Sequence, residues 1–287
     1  TLINTKHLYQ RTNLGPLAAS ICIASLLLIA FVPFSRLRVY VKMCTRAQGM
    51  CDWRTQTDPL CLRNGIVAFW KASYSMRPLL HVLDLTKQAR RFPILKQLQI
   101  EEALFRADPW RRNWLIVNYG LPALPSGNSH AAIIFGLGDG KRPDSLCHVE
   151  RARNDGVSLV KRFSGGGTVY VDQGTVFLTF ICNADIALGN PLMTDPNTTL
   201  VYPHPIMEWT GLVYGGAFDR LLGRDHQFTL QENDYVFGAK KFGGNAQSIS
   251  KDRWVHHTSL LHEFDLDTMG KYLKLPNKQP EYRQDRG

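Results

Sequence analysis

Three consecutive glycines, Gly165-Gly166-Gly167, stand between two apolar, strand-like segments, and this most restricts what the chain can fold into. Glycine gives up more backbone freedom on folding than any other residue, so a triplet at such a place has a local use or a local cost. One reading is a flexible turn between strands. The other is a backbone that runs close to a ligand, with successive N–H groups aimed at an anion. Arg162, just upstream, would then offer a planar fork for a phosphate or carboxylate.

The surrounding pattern narrows the fold class. Pro93 to Arg106 has helical spacing, with Ile94, Leu95, Leu98, Leu104 and Phe105 as its apolar stripe and Lys96, Gln97, Glu101, Glu102 and Arg106 outside it. Pro93 suits a first turn, and Asp108-Pro109 ends the helix. Residues 114–117, 131–135 and 157–160 read as short strands. Thr168 to Cys182 alternates into a long strand or a hairpin turning at Asp172-Gln173-Gly174. Residues 183–205 read as an irregular loop and 206–222 as an apolar helix. Three strands follow, at 235–237, 245–249 and 255–261. Strands and helices alternate irregularly, which favours α+β over a doubly wound parallel sheet.

A second segment carries chemistry. Asn233-Asp234 precedes Val236-Phe237-Gly238, and then comes Ala239-Lys240-Lys241-Phe242-Gly243-Gly244-Asn245-Ala246-Gln247. A lysine ahead of a tight Gly-Gly turn can polarise a carbonyl and steady charge during acyl transfer. Taken alone, the segment also fits a basic hairpin tip.

The two segments together resemble the lipoate–protein ligase A and biotin–protein ligase catalytic domain family. Arg162, Ser164, Gly165, Gly166, Gly167, Val169, Tyr170, Asp172 and Gly174 match the first signature, with Lys161 and Val171 as mild departures. Lys241, Gly244 and Ala246, then Arg253 and His256-His257-Thr258-Ser259-Leu260-Leu261, match the second. The helix around Leu98–Phe105 resembles the family's first helix. Leu137-Gly138-Asp139-Gly140 departs from the Arg-Asn-Gln that follows the glycine in many members. The resemblance covers about residues 90–275.

It implies a mixed, largely antiparallel sheet flanked by helices, of the class II aminoacyl-tRNA synthetase and biotin ligase type. It implies a ligase that joins lipoate or octanoate to a lysine of a lipoyl-domain or H-protein-like acceptor through an acyl-adenylate, using ATP and Mg²⁺. Lys241 would be the catalytic lysine. Arg162, Ser164, Gly165, Gly166, Gly167, Val169, Tyr170, Gly243, Gly244, Asn245 and Ala246 would hold the adenylate, and no protein metal site is implied. Lipoate or octanoate fits better than biotin, because the Gly-Arg-Gly-Arg loop of biotin ligases is absent. Bacterial-type members carry a small C-terminal domain, and this chain ends at Gly287. That leaves a truncated chain, or a transferase using a preformed acyl donor, as expectations. A non-catalytic module that binds lipoyl-type domains is a further one.

Composition bears on partners and compartment. The formal charge of +10 is concentrated in residues 1–76, which hold nine Lys and Arg against Asp52 and Asp58. The body is nearly balanced and shows no basic stripe interleaved with aromatics, which argues against nucleic acid. Leu17 to Phe34 is uncharged over 18 residues, followed by Arg36, Arg38 and Lys42. It would be a single-pass anchor with the body on the cytoplasmic side, or a targeting leader to an organelle such as a mitochondrion or plastid. A third reading sets 1–75 outside the working protein, with 76–287 as the catalytic domain. Of six cysteines, only Cys147 and Cys182 lie in the body, which reads as a reducing compartment.

Three further signals carry less. Gly136-Leu137-Gly138-Asp139-Gly140 mimics a dinucleotide fingerprint with its third glycine misplaced. His256 and His257 are adjacent, so on a strand they face opposite ways and serve core or hydrogen-bonding roles better than a shared metal. Cys182 ends an apolar strand with no evident base nearby, which reads as a structural thiol rather than a nucleophile.

Overall fold

The computed structural model describes residues 39–41, 80–87, 91–122, 131–190, 192–225, 227–238 and 240–274. The apolar run at 17–34 lies outside them. Among the described residues, no helix is long and apolar enough to cross a membrane.

The strands are β1 (Val39–Val41), β2 (Leu80–Asp84), β3 (Asn113–Tyr119), β4 (Ala132–Phe135), β5 (Ser158–Lys161), β6 (Val169–Val171), β7 (Thr175–Asn183), β8 (Phe228–Gln231), β9 (Asp234–Phe237), β10 (Lys240–Ile249) and β11 (Arg253–Leu261). The helices are α1 (Ile94–Ala107), α2 (Val149–Asn154), α3 (Pro203–Leu222) and α4 (Leu266–Tyr272). Eight strands form one sheet in the order β1-β2-β3-β7-β11-β10-β9-β8, parallel among the first three and antiparallel from β3 onward. Three more form a small sheet, β5-β4-β6. The fold is α+β with a mixed, largely antiparallel sheet, as the sequence leads one to expect. β1 lies within the segment set apart as a leader and pairs with β2 at the sheet edge.

β7 is the spine of the molecule. Eight of its nine residues are buried, because β3 and β11 flank it and both of its faces are covered. A strand buried on both sides needs a continuous apolar run rather than alternation. The expected hairpin at Asp172-Gln173-Gly174 is corrected here. β6 pairs with β4 in the small sheet while β7 joins the large one, so the turn carries the chain between sheets. Asp172 fixes it by accepting from the Gly174 amide at 2.9 Å and from Thr175 at 3.2 Å.

α3 covers one face of the large sheet. Its Trp209 meets Phe180 and Trp254 edge-on, at ring separations of 5.3 and 5.8 Å. The opposite face is shared by α1 and the small sheet. Ile94 and Leu98 of α1 pack with Ile134, Val171 and Phe177. Outside the small sheet, α2 and α4 cover Ile133, Phe135 and Tyr170.

The expected apolar stripe of α1 is corrected in two respects. Leu95 is half exposed, whereas Gln97 and Glu101 are buried. Ile94, Gln97, Leu98 and Glu101 follow helical spacing on one face. That face looks onto a cleft rather than a fully apolar core, so polar groups belong on it.

Candidate functional site

A cleft of about 440 Å³, partly open to solvent, lies where α1, the small sheet and the large sheet meet. Its walls are mainly apolar: Ile94 and Leu98 from α1, Ile134, Val169 and Val171 from the small sheet, and Phe177 from β7. The polar lining comes from Gln97, Glu101, Arg162, Thr179, Asn245, His257, Thr258 and Ser259.

The glycine segment lies beside this cleft, against Arg162, Asn245 and Ala246 of its lining. Gly165, Gly166 and Gly167 are exposed, whereas Arg162 and Ser164 beneath them are buried. The segment is tied to the second motif, since the Gly165 amide donates to the Gln247 carbonyl at 2.9 Å. Gly166 has φ +97°, and a Cβ there would lie 3.0 Å from the Asn245 carbonyl and 3.1 Å from the Ala246 Cα. Gly136 faces it, and a Cβ at that position would sit 1.9 Å from the Gly166 carbonyl. Two segments far apart in sequence therefore touch through bare backbone, which explains why side chains are missing at both positions.

Arg162 does not present a free fork. Its Nη2 donates to the carbonyls of Gly167 at 2.7 Å and Gly165 at 3.0 Å, and its Nη1 to that of Ile134 at 3.3 Å. Burial lowers its pKa to about 10, while Asp139 works the other way. Among the described residues, no carboxylate forms an ion pair with it. Asp139 is the carboxylate that acts on its charge, and the hydrogen bonds of Arg162 to the Gly165 and Gly167 carbonyls organise the exposed loop. Asp139, within the segment that departs from the family pattern, accepts from Thr168 at 2.9 Å beside the same loop.

Lys241 lies on β10, three residues before Gly244, and does not line the cleft. Its ammonium meets the Asp234 carboxylate at 2.5 Å, with Lys241 paired to Val236 on the neighbouring strand. The sequence named Asn233-Asp234 and Lys241 as parts of one pattern, and the β9–β10 hairpin brings them together. Val169, Gly244, Asn245 and Ala246 border the cleft. Gly243 instead approaches Leu260, at 3.0 Å from a built Cβ. Tyr170 also lies elsewhere. It alternates with Val169 and Val171, so it faces outward from the cleft and stacks on Tyr272 at 5.8 Å.

His256 and His257 face opposite sides of β11. His256 is fully buried, and its pKa is lowered to about 3, first by burial and then by His257. His257 borders the cleft, with Nδ1 3.0 Å from Glu101 Oε2. Cys182 is a free, fully buried thiol whose pKa burial pushes up, which suits a structural role. Sequence reasoning missed Gln97 and Glu101 as site residues. The available signal was spacing, since 94, 97, 98 and 101 share one helical face.

A model of the lipoyl protein ligase A/B catalytic domain matches residues 95–286. The chain is 28% identical over 248 residues to a Plasmodium falciparum protein called inactive lipoate–protein ligase 2, covering 72% of this chain and 61% of the relative. The chain thus spans about three fifths of the length of that curated relative. Among solved structures, it is similar to P. falciparum LipL1 in complex with lipoate (20% identity, TM-score 0.47, 71% of this chain and 53% of that one). It is also similar to a bipartite lipoate protein ligase from Thermoplasma acidophilum, studied with its E2 lipoyl domain (19% identity, TM-score 0.47, 73% and 69%).

Proposed function

The chain belongs to the lipoyl protein ligase A/B catalytic domain family, and from that premise we propose that it joins lipoate or octanoate to a lysine of a lipoyl-domain or H-protein-like acceptor through an acyl-adenylate made from ATP. The observation that carries this reading is the docking of the exposed Gly165–Gly167 backbone on β10, beside a largely apolar cleft and on the strand that also holds Lys241.

Each part has a role in that chemistry. The cleft takes the acyl chain, and its aliphatic walls gain from excluding water. The Gly165 amide is held by Gln247, so the exposed amides of Gly166 and Gly167, with the buried charge of Arg162 behind them, would face the phosphate of the adenylate. Asp234 aims the Lys241 ammonium, which binds the acyl carbonyl oxygen and steadies the oxyanion when the acceptor lysine attacks. The attacking amine loses a proton and AMP leaves. Among the described residues, no group of three His, Cys, Asp or Glu side chains is placed to hold a metal. Mg²⁺ would sit on the nucleotide phosphates, whose charge it would neutralise.

A second reading is favoured by Asp139. Its carboxylate lies beside the loop, in a segment that lacks the family's usual Arg-Asn-Gln, and it would repel a triphosphate. On this reading the chain transfers an acyl group from a preformed donor, or only holds one.

Mass spectrometry of the chain with ATP, Mg²⁺ and lipoate, octanoate or biotin, with and without an apo lipoyl domain, separates these. A ligase yields acyl-AMP and a matching mass gain on the acceptor. Transfer from supplied lipoyl-AMP alone supports the transferase. Lys241→Ala is expected to cut transfer by roughly two orders of magnitude while acid binding persists. Undiminished transfer by this variant would remove Lys241 from the mechanism.

A further inference from the structure

We propose that Asn245 is a positioning residue: a hydrogen-bond chain that begins at Tyr214 and ends at the Asn233 carbonyl braces the hairpin that holds Asp234 against Lys241. This rests on Lys241 serving acyl transfer, as proposed above.

A bulge in β10 gives Lys241 its direction. Lys241 pairs with Val236 but Gly243 with Tyr235, so Phe242 is an extra residue in the ladder. Phe242 packs on Phe218 of α3 and on Phe237, at ring separations of 5.6 and 4.6 Å. A Cβ at Gly243 would lie on the same side, 3.0 Å from Leu260, and one at Gly244 on the other, 3.3 Å from Val169. On a regular strand Lys241 and Gly244, three residues apart, would face opposite sides. The bulge turns Lys241 to the cleft side with Gly244. On β9, Asp234 alternates with Tyr235, whose hydroxyl meets Thr210 of α3, so Asp234 faces the cleft side as well.

The ladder between β9 and β10 ends at the Tyr235–Gly243 pair, short of Asp234. Glu232, in the turn before it, has φ +53°, a conformation uncommon for a glutamate, so the turn gains from an outside tie. Asn245 supplies one. Its Nδ2 donates to the Asn233 carbonyl at 3.1 Å, one residue before Asp234. Its Oδ1 accepts from Thr258 Oγ1 at 3.2 Å, and Thr258 accepts from the Tyr214 hydroxyl at 2.9 Å. A carbonyl can only accept, so Asn245 must turn its amide nitrogen to Asn233. Its oxygen then takes the Thr258 proton, and Thr258 takes that of Tyr214. One orientation satisfies every group, and it starts from two buried side chains, Tyr214 and Thr258. Asn245 therefore borders the cleft while its side chain works on the α3 side, holding the turn that carries Asp234.

The test is steady-state transfer from supplied lipoyl-AMP to an apo lipoyl domain by the full chain. The variants are Asn245→Ala, Thr258→Val, Thr258→Ser and Lys241→Ala, with Asn245→Ala also combined with Lys241→Ala. Asn245→Ala is expected to lower kcat about tenfold, because a small displacement of the reacting cation is costly, with KM for lipoyl-AMP within about twofold. Thr258→Val should follow it, and Thr258→Ser, which keeps the hydroxyl, should recover most of the loss. On the Lys241→Ala background, Asn245→Ala is expected to add nothing. A raised KM at unchanged kcat, or a loss that persists in full without Lys241, would make Asn245 an adenylate contact and overturn the brace. Undiminished transfer by Lys241→Ala would instead remove the reading on which the brace rests. Hydrogen exchange on the free chain needs no turnover. Asn245→Ala should speed exchange in the β9–β10 hairpin by about tenfold while β7 keeps its protection. Unchanged exchange in the hairpin would overturn the proposal whatever the kinetics.

Discussion

His256 and His257 are neighbours in sequence with opposite electrostatic surroundings, because a strand turns alternate side chains to opposite faces. His256 faces the α3 side, where Gln247 Nε2 reaches its Nδ1 at 3.0 Å and the Tyr235 hydroxyl its Nε2 at 3.2 Å. A neutral ring fits this arrangement, with Nδ1 accepting from Gln247 and Nε2–H donating to Tyr235. Tyr235 then donates to Thr210, and Thr210 to the Ile206 carbonyl. A proton added at Nδ1 would meet another donor. Burial lowers the folded-state pKa from 6.5 to about 3, so the unfolded chain binds the extra proton first. The stability contributed by the neutral ring is complete above about pH 6.5 and is lost as pH falls toward 3. Across that window, unfolding free energy is expected to drop by about 1.4 kcal/mol per pH unit from this residue. Urea titrations from pH 7 to 4 would show it, and His256→Gln should flatten the slope by up to one proton. An unchanged slope would mean that the ring titrates normally in the fold.

At the scale of elements, sequence patterns succeeded where burial follows one rule and failed where two rules meet. The strands at 114–117, 131–135 and 255–261 were legible because their burial demands apolar runs. α1 was legible as a helix, but its buried face was not, since hydrophobicity does not mark Gln97 and Glu101 as inward-facing. β8 escaped notice because four residues on a sheet edge, half exposed in alternation, carry little signal. The glycine loop and the Lys241 segment could be read because backbone approach and charge restrict residue identity. The Glu101–His257 contact could not, because it joins elements distant in sequence.

Arg253 shows how such long-range joints hold elements together. Buried at the start of β11, it donates to the Arg112 carbonyl at 2.7 Å, to the Asn183 side chain at 2.8 Å and to the Leu104 carbonyl at 3.3 Å. One side chain thus ties the last turn of α1 to β3 and β7. Arg253→Ala leaves these acceptors without a donor and is expected to cost about 2–4 kcal/mol in denaturant unfolding. Arg253→Lys should recover only part, because an ammonium cannot span the fork. A loss below about 0.5 kcal/mol would mean that water replaces the guanidinium at no cost.

On the scale of the whole molecule, the glycine loop is a seam between two sheets. Its strand neighbours β5 and β6 belong to the small sheet, yet its Gly165 amide bonds to β10 of the large one. A ligand that fills the cleft and touches the loop therefore restrains both sheets at once. Binding at a hundred times Kd stabilises the occupied state by about 2.7 kcal/mol, which slows by roughly a hundredfold the exchange of any amide that opens only with the site. Hydrogen exchange on the chain with lipoyl-AMP should therefore show protection rising together at Leu137, at Gly165 and along β10 between Gly243 and Gln247. His148, whose amide bonds to Tyr272 on the far side of the small sheet, should change little. Gly166→Ala forces a side chain into a backbone contact at positive φ, and of order 1–3 kcal/mol of strain then opposes closure of the seam. In that variant β10 should keep its own sheet protection while the ligand-dependent rise at Leu137 and Gly165 disappears. Protection confined to one sheet in the unaltered chain would show that the ligand binds beside the seam rather than across it.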